Sequence, residues 1–338
     1  MTEQVLVTGA SGFIGYHLVR ALVDAGYDVT CLVRPTSDLS AIAPFNVSFV
    51  EGDITQLACL LDPVRSVTTV FHLAASTASF SSDMQKQVNE GGVRNIAEAC
   101  AASDKVPKLI LVSSSAAVGP SPPGRPMRET DPPSPLSNYG RSKLAGENVA
   151  RQWGAQVPIT IIRPPIVFGE YDQDVLRMFQ LVSHGWHLVP GLRTRYFSLI
   201  HAADLAKALI LAAAKGENLP SPKESSSSSG QGIYFIADEW ASSYADLGRM
   251  IAKALDRKTW VVKVPGAFVW GLALFYEVLN RIRRKPSIMN LDKAREGLTG
   301  SWVYSSEKAK TQLEFKPEAT LQDRIHQTGM WYQKQGWL

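Results

Sequence analysis

Apolar and polar positions follow two rhythms along this chain. Compact apolar runs at Gln4 to Thr8, Asp28 to Val33, Val47 to Val50, Thr69 to Leu73, Leu109 to Ser113 and Ile159 to Ile162 read as buried strands. Between them lie stretches with helical spacing, notably Phe13 to Ala25 closed by Gly26, Asp83 to Ala102, and Asn138 to Trp153. Strand and helix in alternation predict an α/β fold with a Rossmann-type, doubly wound parallel sheet. Further on, Ile233 to Ile236 reads as a strand and Tyr244 to Leu255 as a helix, followed by an apolar segment, a basic run and a Trp-rich C-terminal helix.

With 338 residues the chain exceeds a typical single domain. We expect a dinucleotide-binding domain over residues 1–165, to which segments near 195–215 and 232–240 return, and a smaller substrate lobe from 166–194 and 241–338. Residues 217–232, with their run of serines, read as a flexible surface loop. The proline-rich stretch Pro120 to Pro135 reads as a loop bordering the substrate cleft.

Composition narrows the function classes. Acids and bases are interspersed and the net charge is only +4, so no nucleic-acid partner is expected. Cys31, Cys59 and Cys100 form no metal-type pair, so neither a metal site nor a disulfide framework is expected, and a reducing cytoplasm fits. No basic leader precedes the first strand, so no secretory signal is expected. The apolar stretch Val264 to Leu279 is interrupted by Pro265 and Glu277 and is short of a membrane span.

The first strand runs into Thr8-Gly9-Ala10-Ser11-Gly12-Phe13-Ile14-Gly15, which opens a helix. That is the context of a dinucleotide fingerprint, in which glycine lets the backbone approach a pyrophosphate seated on the helix N-terminus. The second strand ends at Arg34, where an NAD-preferring site usually offers a carboxylate. An arginine can pair with a 2′-phosphate, so NADP(H) is favoured over NAD(H). Asp53, followed by Ile54, falls where a carboxylate reaches the adenine amino group and an apolar side chain packs on the ring; Asp53 also reads as an ordinary helix N-cap. His72 reads as a buried structural histidine, and Leu73, Ala74 and Ala75 would let the cofactor pass close to the backbone.

Tyr139 and Lys143 lie four apart on a helix, so phenol and ammonium share a face. An ordinary tyrosine titrates near ~10, and a nearby cation favours its phenolate. Three serines, Ser113, Ser114 and Ser115, end the strand upstream.

Taken in order, the fingerprint, Gly52-Asp53-Ile54, His72 to Ala75, the serines, Tyr139 to Lys143, Arg163-Pro164-Pro165-Ile166-Val167-Phe168-Gly169 and Ile200 to Asp204 resemble the extended short-chain dehydrogenase/reductase (NAD-dependent epimerase/dehydratase) family. The resemblance implies a catalytic set of Ser115, Tyr139 and Lys143, with Ser114 competing for the serine role. It implies proton transfer by Tyr139, ribose binding by Lys143, and Ser113, Pro164 and Val167 near the cofactor.

Sugar-nucleotide branches of that family often carry an asparagine where Ile166 stands, and isoleucine cannot bond a phosphate. The segment from Arg163 to Glu170 and Val118-Gly119-Pro120 are more similar to the 3β-hydroxysteroid dehydrogenase and dihydroflavonol reductase branch. The expected reaction is therefore interconversion of a secondary alcohol and a ketone on a hydrophobic steroid-, flavonoid- or polyketide-like molecule. A nucleotide-sugar epimerase or dehydratase with tightly held NAD is the second reading, and a non-catalytic NADP sensor the third. Residues 266–285 carry aromatic residues all round a helix, followed by the basic run Arg281 to Lys285. They read as a pocket lid, a homodimer contact or a peripheral membrane contact of a cytoplasmic protein.

Overall fold

The computed structural model describes residues 2–77, 82–221, 230–283 and 291–338. The basic residues Arg284 and Lys285 and most of the serine-rich loop, 222–229, lie outside the described residues.

The first half alternates β1 (Gln4–Thr8), α1 (Phe13–Asp24), β2 (Asp28–Val33), β3 (Ser48–Glu51), α2 (Ala58–Arg65), β4 (Thr69–His72), α3 (Ser82–Lys86), α4 (Gly92–Ala101), β5 (Lys108–Val112), α5 (Asn138–Trp153) and β6 (Ile159–Arg163). There follow β7 (Ile166–Phe168), α6 (Gln173–Ser183), β8 (Trp186–Pro190), β9 (Tyr196–Phe197), β10 (Leu199–His201) and α7 (Ala202–Lys215). The chain ends with β11 (Ile233–Phe235), β12 (Ser242–Ser243), α8 (Tyr244–Ala254), β13 (Trp260–Val264), α9 (Gly266–Arg283), α10 (Leu291–Leu298), α11 (Glu307–Gln312) and α12 (Leu321–Lys334).

Seven strands form one all-parallel sheet in the order β3-β2-β1-β4-β5-β6-β11, as the alternation of runs predicted. Each face buries its own apolar layer. One is built around Val5, Leu18, Phe71 and Leu209 and the other around Leu6, Val70, Ile96 and Ile159. The order reverses direction between β1 and β4, so a crevice opens at their C-terminal ends.

The stretch expected as a helix over Asp83 to Ala102 is helical as far as Ala101, but not α-helical throughout. A π-helical turn at Gln87–Gly91 separates α3 from α4. The extra residue there turns Asn89 inward, where its side chain bonds the Ser76 backbone at 2.8 and 3.0 Å and the Ser142 hydroxyl at 2.8 Å.

A smaller core around Phe168, Phe179, Ile251 and Tyr332 holds the C-terminal elements. Arg324 ties it to α7 of the sheet domain by clasping Asp204 at 2.5 and 2.9 Å, and inside it the Tyr332 hydroxyl donates to the Asp172 carbonyl at 2.7 Å.

Inside the main domain, Arg163 at the end of β6 donates to Glu147 of α5 at 2.9 and 2.5 Å, and the Ser113 hydroxyl donates to the same carboxylate at 2.6 Å. The pair is 2% and 0% exposed. Burial pushes Glu147 up, yet the Arg163 guanidinium and the Ser113 hydroxyl hold its carboxyl below the usual range. Truncating one member strands a buried charge. Glu147→Ala is expected to lower unfolding free energy by ~3–5 kcal/mol in a urea titration, and a loss under ~1 kcal/mol would show the pair to be dispensable.

Candidate active site

At the switch point the backbone itself builds the cradle. Gly9 sits at φ +76°, and a Cβ there would lie 2.7 Å from the Ala74 nitrogen; a Cβ on Gly15 would lie 2.2 Å from the Gly9 carbonyl oxygen. Only glycine permits this closeness of β1, α1 and the chain leaving β4. Gly12 caps α1 without a side-chain bond, and no acid stands in the first turn, so the leading N–H groups are open to an anion. Ser11 is exposed beside them, and Phe13 and Ile14 are half-buried. The residues present thus fit a dinucleotide pyrophosphate.

Past the C-terminal end of β2, Arg34 is exposed; the backbone N–H of Thr55 lowers the Asp53 pKa most, and the Arg34 charge adds to it. Asp53 also accepts from the Thr55 hydroxyl at 2.7 Å, which closes a local turn; it is not the helix N-cap expected of it, because α2 begins only at Ala58, behind Leu57. A second expectation fails here. The Ile54 side chain is buried in the core against Leu6 and Ile96, so it is not the apolar face offered to a base.

At the other end of the crevice, the Thr8 hydroxyl and His72 Nδ1 share a hydrogen bond of 2.8 Å, while His72 Nε2 is buried without a partner. Burial, reinforced by the Lys143 ammonium, lowers His72 to about 3, so the imidazole is neutral. Leu73 and Ala74 are half-buried and Ala75 is exposed along this wall. Pro164 is buried, Val167 half-buried, and Ile166 is 36% exposed beyond them.

The three serines part company because strand alternation and a tight turn send them three ways. Ser113 points to Glu147 and is committed to it, so its hydroxyl does not face a cofactor. The Ser114 hydroxyl draws the Tyr139 phenol pKa down, and Ser114 caps the 3-10 turn Ser115–Ala117 by accepting from the Ala116 N–H at 3.1 Å. Ser115 is buried in that turn. Its N–H donates to the Pro164 carbonyl at 2.9 Å, and its backbone carbonyl accepts from the Tyr304 hydroxyl at 3.4 Å. The serine beside Tyr139 is therefore Ser114, and the expected Ser115 holds the wall behind it.

Tyr139 lies in the first turn of α5, whose N-terminus is capped by Ser137. Burial raises the phenol pKa, while Lys293 of α10 and the Ser114 hydroxyl pull it down; the molecule at rest carries the neutral phenol. Sequence reasoning missed Lys293 and its partner Glu296, 2.8 Å away. No local pattern joins them to Tyr139. They arrive because Asp292 accepts from the Asn138 N–H at 2.8 Å and Arg295 donates to the Leu136 carbonyl at 3.3 Å, docking α10 onto the start of α5.

Lys143 is buried, with Nζ donating to the Val112 carbonyl at 2.8 Å. Burial lowers its pKa to about 8, against the pull of Glu147.

The model of the NAD dependent epimerase/dehydratase family matches residues 5–226. The chain belongs to that family. The extended short-chain dehydrogenase/reductase motifs and the parallel sheet thus describe one and the same protein family, whose members here are NAD(P)-dependent dehydrogenases, reductases and epimerases. The chain is similar to a ceramide reductase from Caulobacter vibrioides, with 29% identity covering 99% of this chain and 96% of the relative. It is similar as well to the UDP-glucose 4-epimerase of Vibrio cholerae, 28% identical over 97% of this chain and 95% of the relative. The crystal structure of gox2253 superposes over 100% of both chains with a TM-score of 0.80 and 26% identity.

Two outcomes test the site. Ser114→Ala is expected to cut turnover by ~10²–10³, the usual loss of one donor to a reacting oxygen, and Ser115→Ala to cost far less; the reverse ranking would return the role to Ser115. The second concerns Lys143. An unfolded lysine titrates near ~10.4, so between pH ~8 and ~10.4 the unfolded chain holds a proton that the folded one has lost, and stability rises with pH. Below that window folding carries the full cost of burying the ammonium. Lys143→Met is therefore expected to stabilise the ligand-free protein by ~1–3 kcal/mol near neutral pH, net of the lost bond to Val112, with the gain fading towards pH ~10. Urea titrations at both pH values check this, and a pH-independent effect would contradict it.

Proposed function

We propose that this protein is an NADP(H)-dependent oxidoreductase interconverting a secondary alcohol and a ketone on a hydrophobic small molecule. The observation that carries the reading is the exposed apolar side chain of Ile166, two residues past Pro164. It shares a small pocket with Phe197, Leu199, Tyr244 and Leu247. Isoleucine at this position gains by covering rings or chains and offers no donor to a phosphate, and the hydroxyls of the pocket are those of Ser242, Ser243 and Tyr244. The full-length likeness to a ceramide reductase supports the same substrate class.

In this reading Gly9, Gly12 and Gly15 with the first turn of α1 hold the pyrophosphate, and Arg34 pairs with a 2′-phosphate. When bound, the nicotinamide supplies or takes up the hydride. The chain handles the proton and the oxygen. Ser114 donates a hydrogen bond to the reacting oxygen, and Tyr139, neutral at rest, gives that oxygen its proton in reduction. Lys143, one turn further along α5, favours the phenolate left behind.

A second reading draws on a different observation. A cavity of about 540 Å³ is lined by Arg193, Arg195, Tyr196 and Leu298 among others, and its arginines suit a diphosphate such as that of a nucleotide sugar. It supports an epimerase with retained NAD.

Parallel titration of wild type and Arg34→Ala with NADPH and NADH separates the two. The expected outcome is tighter NADPH binding that falls by about tenfold or more in the variant with little change for NADH, together with a ~10²–10⁴ loss of ketone reduction in Tyr139→Phe at unchanged cofactor affinity. Purified protein already loaded with NAD and turning over a UDP-hexose with no added cofactor would replace this reading with the second.

A further inference from the structure

β8 and β13 pair in parallel as a two-stranded ribbon apart from the main sheet, with Trp260 opposite Trp186 and Val262 opposite Leu188. Strand alternation sends His187 and Val189 inward, and leaves those four side chains on the outer face. Trp260 is 75% exposed and Trp186 54%. Pro265 then leads directly into α9, an 18-residue helix on which Ala273 is buried while Phe268 and Phe275 are 64% and 61% exposed. Trp270, Leu274 and Tyr276 are exposed as well. A surface helix normally shows one apolar stripe turned to the core, whereas here the apolar side chains face away from it. Patches of this kind are covered by something in the working molecule.

We infer that the β8–β13 ribbon and α9 form a docking surface for an anionic lipid bilayer, on which the protein lies without crossing it. No helix among the described residues is long and apolar enough to span a membrane. The composition is that of an interface: tryptophan and tyrosine, whose rings sit at headgroup level, beside large aliphatic side chains. Exposed cations border it, with Arg193 after β8 and Arg257 and Lys258 before β13, against the acids Asp256 and Glu277, while Lys263, opposite Val189, lies on the other face of the ribbon. That charge favours lipid over a second copy of the chain. A two-fold contact through this face would set its cations against themselves, whereas phosphate headgroups neutralise them. Arg193 also lines the arginine-bearing cavity, together with Arg195 and Tyr196. The inference stands whether or not the proposed reaction is correct.

Flotation of the full chain with vesicles of phosphatidylcholine alone, or of phosphatidylcholine mixed with phosphatidylglycerol, tests it. The expected result is co-flotation with the mixed vesicles, weakened about tenfold by high salt and about tenfold or more by Phe268→Glu with Phe275→Glu, while NADPH binding reports that the variant is folded. Quenching of wild-type tryptophan fluorescence by bromine-labelled lipid checks the same contact without any substitution. Absence of both flotation and quenching overturns the inference. So does a dimer in sedimentation that the double variant converts to monomer while no vesicle is bound.

Discussion

Between α5 and β6, Glu147 and Arg163 are shut away from water in a bidentate pair that Ser113 completes. Burying two charges is costly, and only mutual attraction with fully satisfied hydrogen bonds makes it tolerable. Both partners therefore keep one geometry. Because Glu147 is one turn beyond Lys143 and two beyond Tyr139, the pair fixes how α5 lies against the sheet and how those two side chains meet the crevice. It also raises the Lys143 pKa against the pull of burial.

The wall opposite α5 is fixed from a distance. Tyr304 donates to the Gly119 carbonyl at 2.8 Å and engages Ser115, so a residue near the C-terminal end holds the turn that presents Ser114. Asp292 and Arg295 close α10 over the start of α5 and bring Lys293 and Glu296 to Tyr139 and Tyr244. The phenol thus answers to a cation of the smaller lobe as well as to the lysine on its own helix. Closure of that lobe and the proton affinity of Tyr139 are physically linked.

Much of the scaffold was legible because it depends on local rules. Runs buried on both faces read as parallel strands, the glycines announced a turn that no Cβ could enter at 9 or 15, and Tyr139 and Lys143 shared a helix face by spacing alone. The errors occur where a position depends on a neighbour remote in sequence. Ile54 looked like a ring contact because it follows Asp53, yet the core below it takes the side chain. The Asp83 to Ala102 stretch has helical spacing throughout, and the π turn at its middle reflects the inward bonds of Asn89.

The sequence by itself determined the family, the sheet, the crevice and the tyrosine, since periodicity, glycine sterics and helical spacing act within a few residues. Tertiary structure decided which serine meets Tyr139, which cation tunes it, and which apolar side chains are left facing outward. Those outcomes follow from packing between segments up to nearly two hundred residues apart, as with Tyr304 and Ser115. Nothing in three adjacent serines distinguishes the one that Glu147 claims, the one that acts on the Tyr139 phenol and the one buried in the turn that Tyr304 bonds. Direction out of the strand, and what lies on each side of it, makes that choice.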